Sequence, residues 1–562
     1  MNDSMRNCDV IIIGASLAGS CLARQLKLKH PELDIVVLEK KTEFGHWVGE
    51  STLEVFWDYA ARHLDLGPYL DRNYFLKHGL RFFFDSKAKD LPFDRLSEFG
   101  RTWIHRVPAH QLDRARFDSD LCAMNVAMGV EVRLGEAATD VTIDAVNGHR
   151  VQTKAGEYRC RWLVDASGFA AIVSRKLGVH RSQAHRHPVS SYWGRFRHLR
   201  ELDLQGGMEW RARVNHTSRV LSTNHFMYPG YWIWMIPLDA ETISVGVTIH
   251  AEMRPDLQIR NSDDLMRFFQ SHAGLNQLVA EETTLLDFHA LKALPRCADR
   301  AYHEERVFLT GMASSVIEPV LSPGCAHLAD SNRMIGDLIA TDLLGLDQEF
   351  REKALAYSVY TRVWFEAILI QIQGLYTGLF DVHMAFFEPA LYNYFGVILP
   401  TSMSERWGYE PGRLPPGAQY EAVLAEALKS IGDGTVLKNL EARARELQEF
   451  LVERGIEFEN NDGRFFDSEA PPAVLRHTHT NGQYLSPEAV GKVHETLYEF
   501  CLAYSLRRMA AAEKLNADEL AIKEVAALLQ RSQGSLWDGL DALRRRPTAG
   551  RAATMAAAAP AE

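Results

Sequence analysis

Gly14-Ala15-Ser16-Leu17-Ala18-Gly19 stands between an apolar β-branched run, Asp9 to Ile13, and a helical stretch, Ser20 to Lys29. Glycine at position 14 permits a tight turn. The helix that follows offers unpaired backbone N–H groups and a positive dipole end, which suit a pyrophosphate. Glu39 closes the next strand, Asp34 to Glu39, and Lys40 follows it. A carboxylate there accepts hydrogen bonds from a ribose and disfavours a 2′-phosphate. The middle position of the GxGxxG pattern is Ser16 rather than glycine. Strand, glycine turn, helix, strand and acidic strand end together read as a βαβ nucleotide-binding unit rather than a plain turn.

A second group of candidates is aromatic. Gly230 to Pro237 reads GYWIWMIP. On a strand, Trp232 and Trp234 share one face and can wall a dry channel, although core packing alone would also place them there. Two histidine groups carry less. His477-Thr478-His479 would face one way on a strand, but no third metal ligand is evident and the Pro, Asn and Gly around them indicate a solvated loop. His180, His185 and His187, in HRSQAHRH, read as an exposed basic loop that could attract an acidic carrier protein.

The elements that must position these residues follow from patterning. Several short strands alternate from Val130 to Val164, ending in WLVDASG; Gly230–Pro237 and Thr242–Ile249, joined by LDAE, read as a hairpin. Phe82-Phe83-Phe84 reads as a buried strand within a region, 40 to 130, that otherwise mixes helices and loops. Arg306 to Gly311 returns as a strand to the first lobe, and Ala326 to about Leu399 is helical. Residues 418 to 456 read as two helices broken at Gly432-Asp433-Gly434. Ser486-Pro487 and Asn516 with Glu519 are later helix starts. The expected fold is α/β: a Rossmann-like nucleotide-binding lobe, a second β-sheet lobe over a substrate cavity, and a mainly helical C-terminal region. The boundaries are 5–345 for the core (strand-rich at about 185–300), 346–546 for the helical region, and 547–562 for a disordered tail.

The chain has 562 residues, 46% hydrophobic and 24% charged, with a formal net charge of −11. That balance argues against a general nucleic-acid or membrane-surface binder. The seven cysteines are scattered without a CxxC pair, against a disulfide framework or a thiolate zinc site. The N-terminus shows no signal-peptide pattern, and the most apolar later stretch, Val363 to Phe380, carries Glu366, Gln371 and Gln373. A soluble cytoplasmic protein without a membrane span is expected.

Further motifs carry a family resemblance. Arg114, in QLDRARFDSDL, and Asp165-Ala166-Ser167-Gly168 resemble the segments that surround FAD in FAD-dependent aromatic hydroxylases and their relatives. WxWxIP, as it stands in Trp232 to Pro237, resembles the signature of flavin-dependent halogenases. Gly49-Glu50-Ser51 resembles that family's GES loop beside the flavin, and Phe75-Leu76-Lys77-His78-Gly79 its catalytic-lysine segment. Pro319-Val320-Leu321-Ser322-Pro323-Gly324 resembles the family's Pro-x-x-Ser-x-Gly turn, where backbone N–H groups hold a halide. The resemblance covers roughly residues 5 to 345. Four positions depart from or subdivide the pattern. Gly311 is followed by Met312, where relatives have an aspartate for the ribityl chain. Pro323 removes a donor from the turn, and Glu54 replaces a proline after the GES loop. Leu321, an apolar residue before Ser322, matches the phenol- and pyrrole-type branch rather than the tryptophan halogenases.

The resemblance implies a mechanism. Reduced FAD, supplied by a separate flavin reductase, reacts with oxygen to a flavin hydroperoxide that oxidises halide to hypohalous acid. The acid passes a tunnel walled by Trp232 and Trp234, and Lys77 directs it, by hydrogen bonding or as a haloamine, onto an electron-rich aromatic, free or tethered to an acyl carrier protein. Two other readings remain open from the sequence: an FAD-dependent aromatic hydroxylase, and a non-catalytic flavoprotein-like scaffold, for which Met312 speaks.

Overall fold

The structure, a computed structural model, describes residues 5–86, 88–104, 107–376, 417–430, 463 and 465–467. The Gly432–Gly434 break, the pair His477 and His479, the helices begun at Ser486 and Asn516, Cys501 and the 547–562 tail lie outside the described residues.

The nucleotide-type lobe is built on a six-stranded sheet. Its order is Tyr302–His303, Val307–Leu309, Trp162–Asp165, Val10–Ile13, Ile35–Glu39, Glu131–Leu134. Val10–Ile13 pairs in parallel on both sides and is buried along its whole length. That explains its unbroken apolar run, since a central parallel strand has no wet face. The chain then turns at Gly14 (φ +110°) into the helix Leu17–Lys29. A Cβ at Gly14 would lie 2.4 Å from the Ala166 carbonyl oxygen, and one at Gly19 only 1.9 Å from that of Gly14. Any side chain at either position would push helix and strand apart.

The second sheet has nine strands. Its main path runs Thr284–Leu285, Val189–Arg197, Thr242–His250, Tyr231–Pro237, Thr223–Tyr228, Leu80–Phe84, Ser97–Gly100, Phe465–Asp467, and His289–Leu291 also pairs with Val189–Arg197. The hairpin expected from Gly230 to Ile249 forms its centre, with Trp234 opposite Gly246. A Cβ at Gly246 would meet the Trp234 ring at 2.2 Å, so glycine there lets the indole lie across the neighbouring strand. Alternation sorts the hairpin's side chains: Trp232, Trp234 and Ile236 face one core, while Tyr231, Ile233 and Met235 join Phe83 and Phe226 in another.

Two expectations about extent change. The sheet draws on segments far outside 185–300, because Leu80–Phe84 pairs in parallel with Thr223–Tyr228 and Phe465–Asp467 pairs in parallel with Ser97–Gly100. Parallel neighbours require long crossovers, so neither adjacency is local in sequence. Nor does the core close at 345. The stretch read as helical from Ala326 begins at Pro323 and breaks after Leu343 at Gly345 (φ +71°), a glycine stop. The next helix, Asp347–Gly374, buries Phe350, Ala354 and Tyr357 with Ile335 and Leu338, and Trp364, Phe365 and Ile368 with Trp232. Among the described residues no helix is long and apolar enough to cross a membrane.

Candidate active site

One cavity of roughly 1400 Å³, open mouth included, lies between the two sheets. It is lined by Ser16, Leu17 and Ala18 of the glycine turn, by Gly49, Glu50 and Ser51, and by Trp232, Trp234 and Ile236 of the hairpin. Gly311, Met312 and Ser322 to Gly324 complete it.

Ser16 is explained by Arg114. The Ser16 hydroxyl donates to Asp118 Oδ2 (2.6 Å) and accepts from Arg114 Nη2 (2.9 Å). Arg114 also donates to the Val48 carbonyl (2.6 Å) and is held by Asp118 through Nε (3.1 Å) and Nη2 (2.8 Å). One buried guanidinium therefore ties the glycine turn to the GES loop, with Asp118 balancing its charge. A glycine at 16 would lose this tie. Gly49 must stay glycine for the same reason, because at φ +95° its Cβ would lie 2.8 Å from Arg114 Nη1.

The acidic candidates divide. Glu39 accepts from the backbone N–H of Ala15 (3.0 Å) and of Lys41 (2.9 Å), so its carboxylate braces the glycine turn. Lys40 points to solvent. Asp165 is fully buried and spent on its own turn, accepting from Ser167 N and Oγ, Val173 N and Ser174 N. Its neighbours Ala166 and Gly168 line the cavity, whereas Asp165 is not part of the wall. Read from sequence as a cofactor ligand, Asp165 is here an internal clamp, because four donors already saturate it. Glu50 lines the cavity at 2% exposure, and burial pushes its carboxyl up to about 8 against the lowering effect of the Ser244 hydroxyl. It is a neutral acid at pH 7.

Lys77 is buried at 4% exposure. Phe75–Leu76 pairs with His110–Gln111, and the Lys77 N–H donates to the Ala109 carbonyl (2.8 Å). The side chain then runs to the GES loop, where Nζ donates to Ser51 Oγ and to the Thr52 carbonyl, both at 2.8 Å. Ser51 Oγ is also 2.7 Å from Thr223 Oγ1. Ser51 and Thr223 line the cavity, with Lys77 one hydroxyl behind them. Burial pulls the Lys77 pKa down to about 8, against Glu54 and Cys325, which raise it. A solvated surface lysine is excluded.

Trp232 and Trp234 are 1% and 3% exposed, their rings 5.5 Å apart. The sequence gives no sign of two buried histidines beside them. His225 stacks between Phe82 (4.6 Å) and Trp232 (5.3 Å), and burial pushes it down to about 3. His327 bonds Ser315 (3.0 Å), stacks on Trp364 and is pushed down to about 4 by burial. Both are neutral wall residues. The usable signal was the alternation that sets Thr223, His225 and Met227 on one face. His187, expected in an exposed basic loop, is a correction: it is 1% exposed, with its Nε2 3.4 Å from Glu318 Oε2, because it lies just before the strand Val189–Arg197 and packs against the rings of His250 and Tyr376.

At the last turn, Leu321 (φ 60°) and Ser322 (φ 55°) are consecutive left-handed residues before Pro323 starts a helix. Non-glycine residues there cost about 1–3 kcal/mol each, strain that is found where a ligand site needs it. Pro323 sits at the first helical position, which tolerates its ring, but it takes away one of the free N–H groups that a helix start offers an anion.

A parallel-sheet lobe with a glycine turn at a helix start, and a second sheet closing one long cavity over it, define an FAD-type flavoprotein. The residues fit FAD: the cavity continues from the glycine turn past the GES loop to the indoles, and the Ser16 side chain takes no hydrogen bond from the N–H groups of the helix turn that follows it. The tryptophan halogenase family model matches residues 93–352. A flavin-dependent halogenase of Dictyostelium discoideum is 26% identical over 388 residues, covering 63% of this chain and 63% of that protein. Monodechloroaminopyrrolnitrin halogenase PrnC of Pseudomonas fluorescens is 19% identical, covering 57% and 59%. Among solved structures, halogenase PltM in complex with phloroglucinol and FAD superposes with a TM-score of 0.62 at 15% identity, covering 92% of this chain and 98% of that one. The flavin-dependent brominase Bmp2 gives 0.56 at 20%, covering 76% and 100%. In sequence and in fold the chain is similar to flavin-dependent halogenases.

Proposed function

We propose that this protein is a reduced-flavin-dependent halogenase acting on an electron-rich aromatic of the phenol or pyrrole class, with its flavin reduced by a separate reductase. The observation that carries the reading is the placement of a buried lysine amine, Lys77, one hydroxyl away from a cavity walled by Trp232 and Trp234. FAD, when bound, supplies the oxidising equivalents that make halide electrophilic. Gly14, Ser16, Leu17, Ala18 and Gly19 hold its pyrophosphate, Glu39 keeps their turn in shape, and Gly49 to Ser51, Arg114, Gly311 and Met312 flank it. Ser322 to Gly324 hold halide. Trp232, Trp234 and the neutral His225 keep the passage free of water that would quench the halogen species. Ser51 and Thr52 hold the Lys77 amine where it meets that species. The test is turnover of the purified chain with a flavin reductase, bromide and a panel of phenols and pyrroles, free and carrier-bound, read by mass. Products that gain oxygen and ignore bromide would replace this reading with a hydroxylase.

Met312 has no acceptor for a ribityl hydroxyl. Met312→Asp is expected to tighten FAD by about 1 kcal/mol, roughly fivefold, the scale of one recovered hydrogen bond. Flavin fluorescence titration checks this, and equal or weaker affinity in the variant contradicts it.

The depressed Lys77 pKa gives a pH signature. With a value of about 8, the amine is protonated below that pH and free above it. If the amine acts as nucleophile, halogenated product per flavin oxidised rises as pH climbs through about 8. Single-turnover product yields at fixed flavin and halide measure it. A yield falling over that window assigns Lys77 a hydrogen-bonding role as ammonium instead.

A further inference from the structure

Arg296 lies in the strand Arg296–Ala298 and is only 9% exposed, yet among the described residues it has no acidic partner. Its Nη1 donates to the Phe169 carbonyl (3.2 Å), its guanidinium carbon lies 3.3 Å from the centre of the Phe169 ring, and its Nε–H bonds nothing. A second cation docks on the next carbonyl of the same turn: Arg175, exposed, donates through Nε to Ala170 O (3.0 Å). The acids nearby are committed elsewhere. Asp165 is saturated by its own turn, Asp299 pairs with Arg181 (2.7 Å), Glu366 with Arg186 (2.7 Å) and Asp140 with Lys176 (2.8 Å). Burial and the repulsion of Arg175 together pull Arg296 down to about 10, with no compensating charge. A guanidinium taken out of water without a counter-ion is costly, and such groups persist where an anion completes them.

This turn borders the cavity. Gly168, immediately before Phe169, lines it, and so does Val316, the strand partner of Arg296. We propose that Arg296 and Arg175 form a halide-binding site at the cavity rim, distinct from the Ser322–Gly324 turn, which concentrates chloride or bromide before it enters. The proposal rests on the halogenase reading. A halide fits better than a phosphate. The buried guanidinium leaves few N–H directions free, too few for the oxygens of a dianion, and it is weakly hydrated, which matches a large monovalent anion. An exposed arginine leading to a buried one gives an inward field for anions.

The test uses the full chain without added flavin. Chloride NMR line broadening, competed with bromide, is compared between wild type and Arg296→Met, which keeps bulk and loses charge. Bromide-soaked crystals locate the ion by anomalous scattering. Expected are a bromide peak beside Arg296, a fall in broadening in Arg296→Met and a smaller fall in Arg175→Gln, with melting curves showing that both variants fold. In turnover the halide KM of Arg296→Met rises about tenfold, the scale of one charge-assisted hydrogen bond, with FAD affinity unchanged. Unchanged broadening in Arg296→Met overturns the site. Inorganic phosphate displacing chloride more strongly than bromide does overturns its assignment to halide. Halide bound at Arg296 without any halogenated product would leave this site standing and remove the halogenase reading. Halogenation with wild-type halide KM in Arg296→Met would do the reverse.

Discussion

Lys77→Ala is expected to cut halogenated product by about a hundredfold or more while reduced-flavin oxidation and peroxide release continue, the scale at which a positioned side chain contributes to its step. Lys77 touches no residue assigned to flavin except Ser51, whose hydroxyl keeps Thr223 as partner when the lysine is gone. The flavin site therefore survives, and only the group that directs the halogen is removed. Lys77→Met fills the same space without an amine and serves as the folding control. Lys77→Arg should also fail, because a guanidinium stays charged, is a poor nucleophile and is too large for the space bounded by Ser51 and Thr52. The measurement is single-turnover mixing of reduced enzyme with oxygen, bromide and a converted phenol or pyrrole, with product followed by mass. Halogenated product from Lys77→Ala at the wild-type rate would mean that Lys77 is merely a buried lysine bonded to a loop.

The parts of this site legible in the sequence are those whose residue types have few alternatives. Gly14 and Gly19 are fixed by approaches that no Cβ survives, and the Trp232–Trp234 alternation survives folding because the strand period is two. The family resemblance pointed to Lys77, yet the short polar FLKHG segment gives no hint of its burial. That burial comes from Leu80–Phe84 and Thr223–Tyr228 lying side by side in parallel, a pairing without local signal. Asp165 and His187 fail for a related reason. Sequence gives a residue's chemistry but not who else claims it, and both side chains are already taken by protein partners. Ser16 departs from the glycine pattern of the nucleotide loop, and its bonds to Arg114 and Asp118, distant in sequence, account for it.

Buried charged residues hold the same wall together, and removing one should cost more stability than any change proposed above. Glu98 is 0% exposed and lies between two buried guanidiniums. Arg81 Nη1 donates to Glu98 Oε1 at 2.5 Å, and Arg219 donates through Nε to Oε1 (2.9 Å) and through Nη2 to Oε2 (2.8 Å). Arg219 also lies 3.5 Å over the Trp210 ring, and burial lowers the Arg81 pKa despite Glu98. Glu98→Ala leaves two positive charges buried beside each other with no acid between them, for which a loss of about 3–5 kcal/mol is expected. Glu98→Gln keeps the shape and some acceptor capacity and should lose less. The effect reaches the cavity, because the Arg81 carbonyl is 3.2 Å from His225 Nδ1, and His225 stacks on Trp232. Urea midpoints for wild type, Glu98→Ala and the double variant Glu98→Ala with Arg81→Met measure it. The second substitution removes one orphaned charge and should recover part of the loss. If Glu98→Ala costs less than about 1 kcal/mol, water reaches these guanidiniums and the triad does not hold the strands that carry His225.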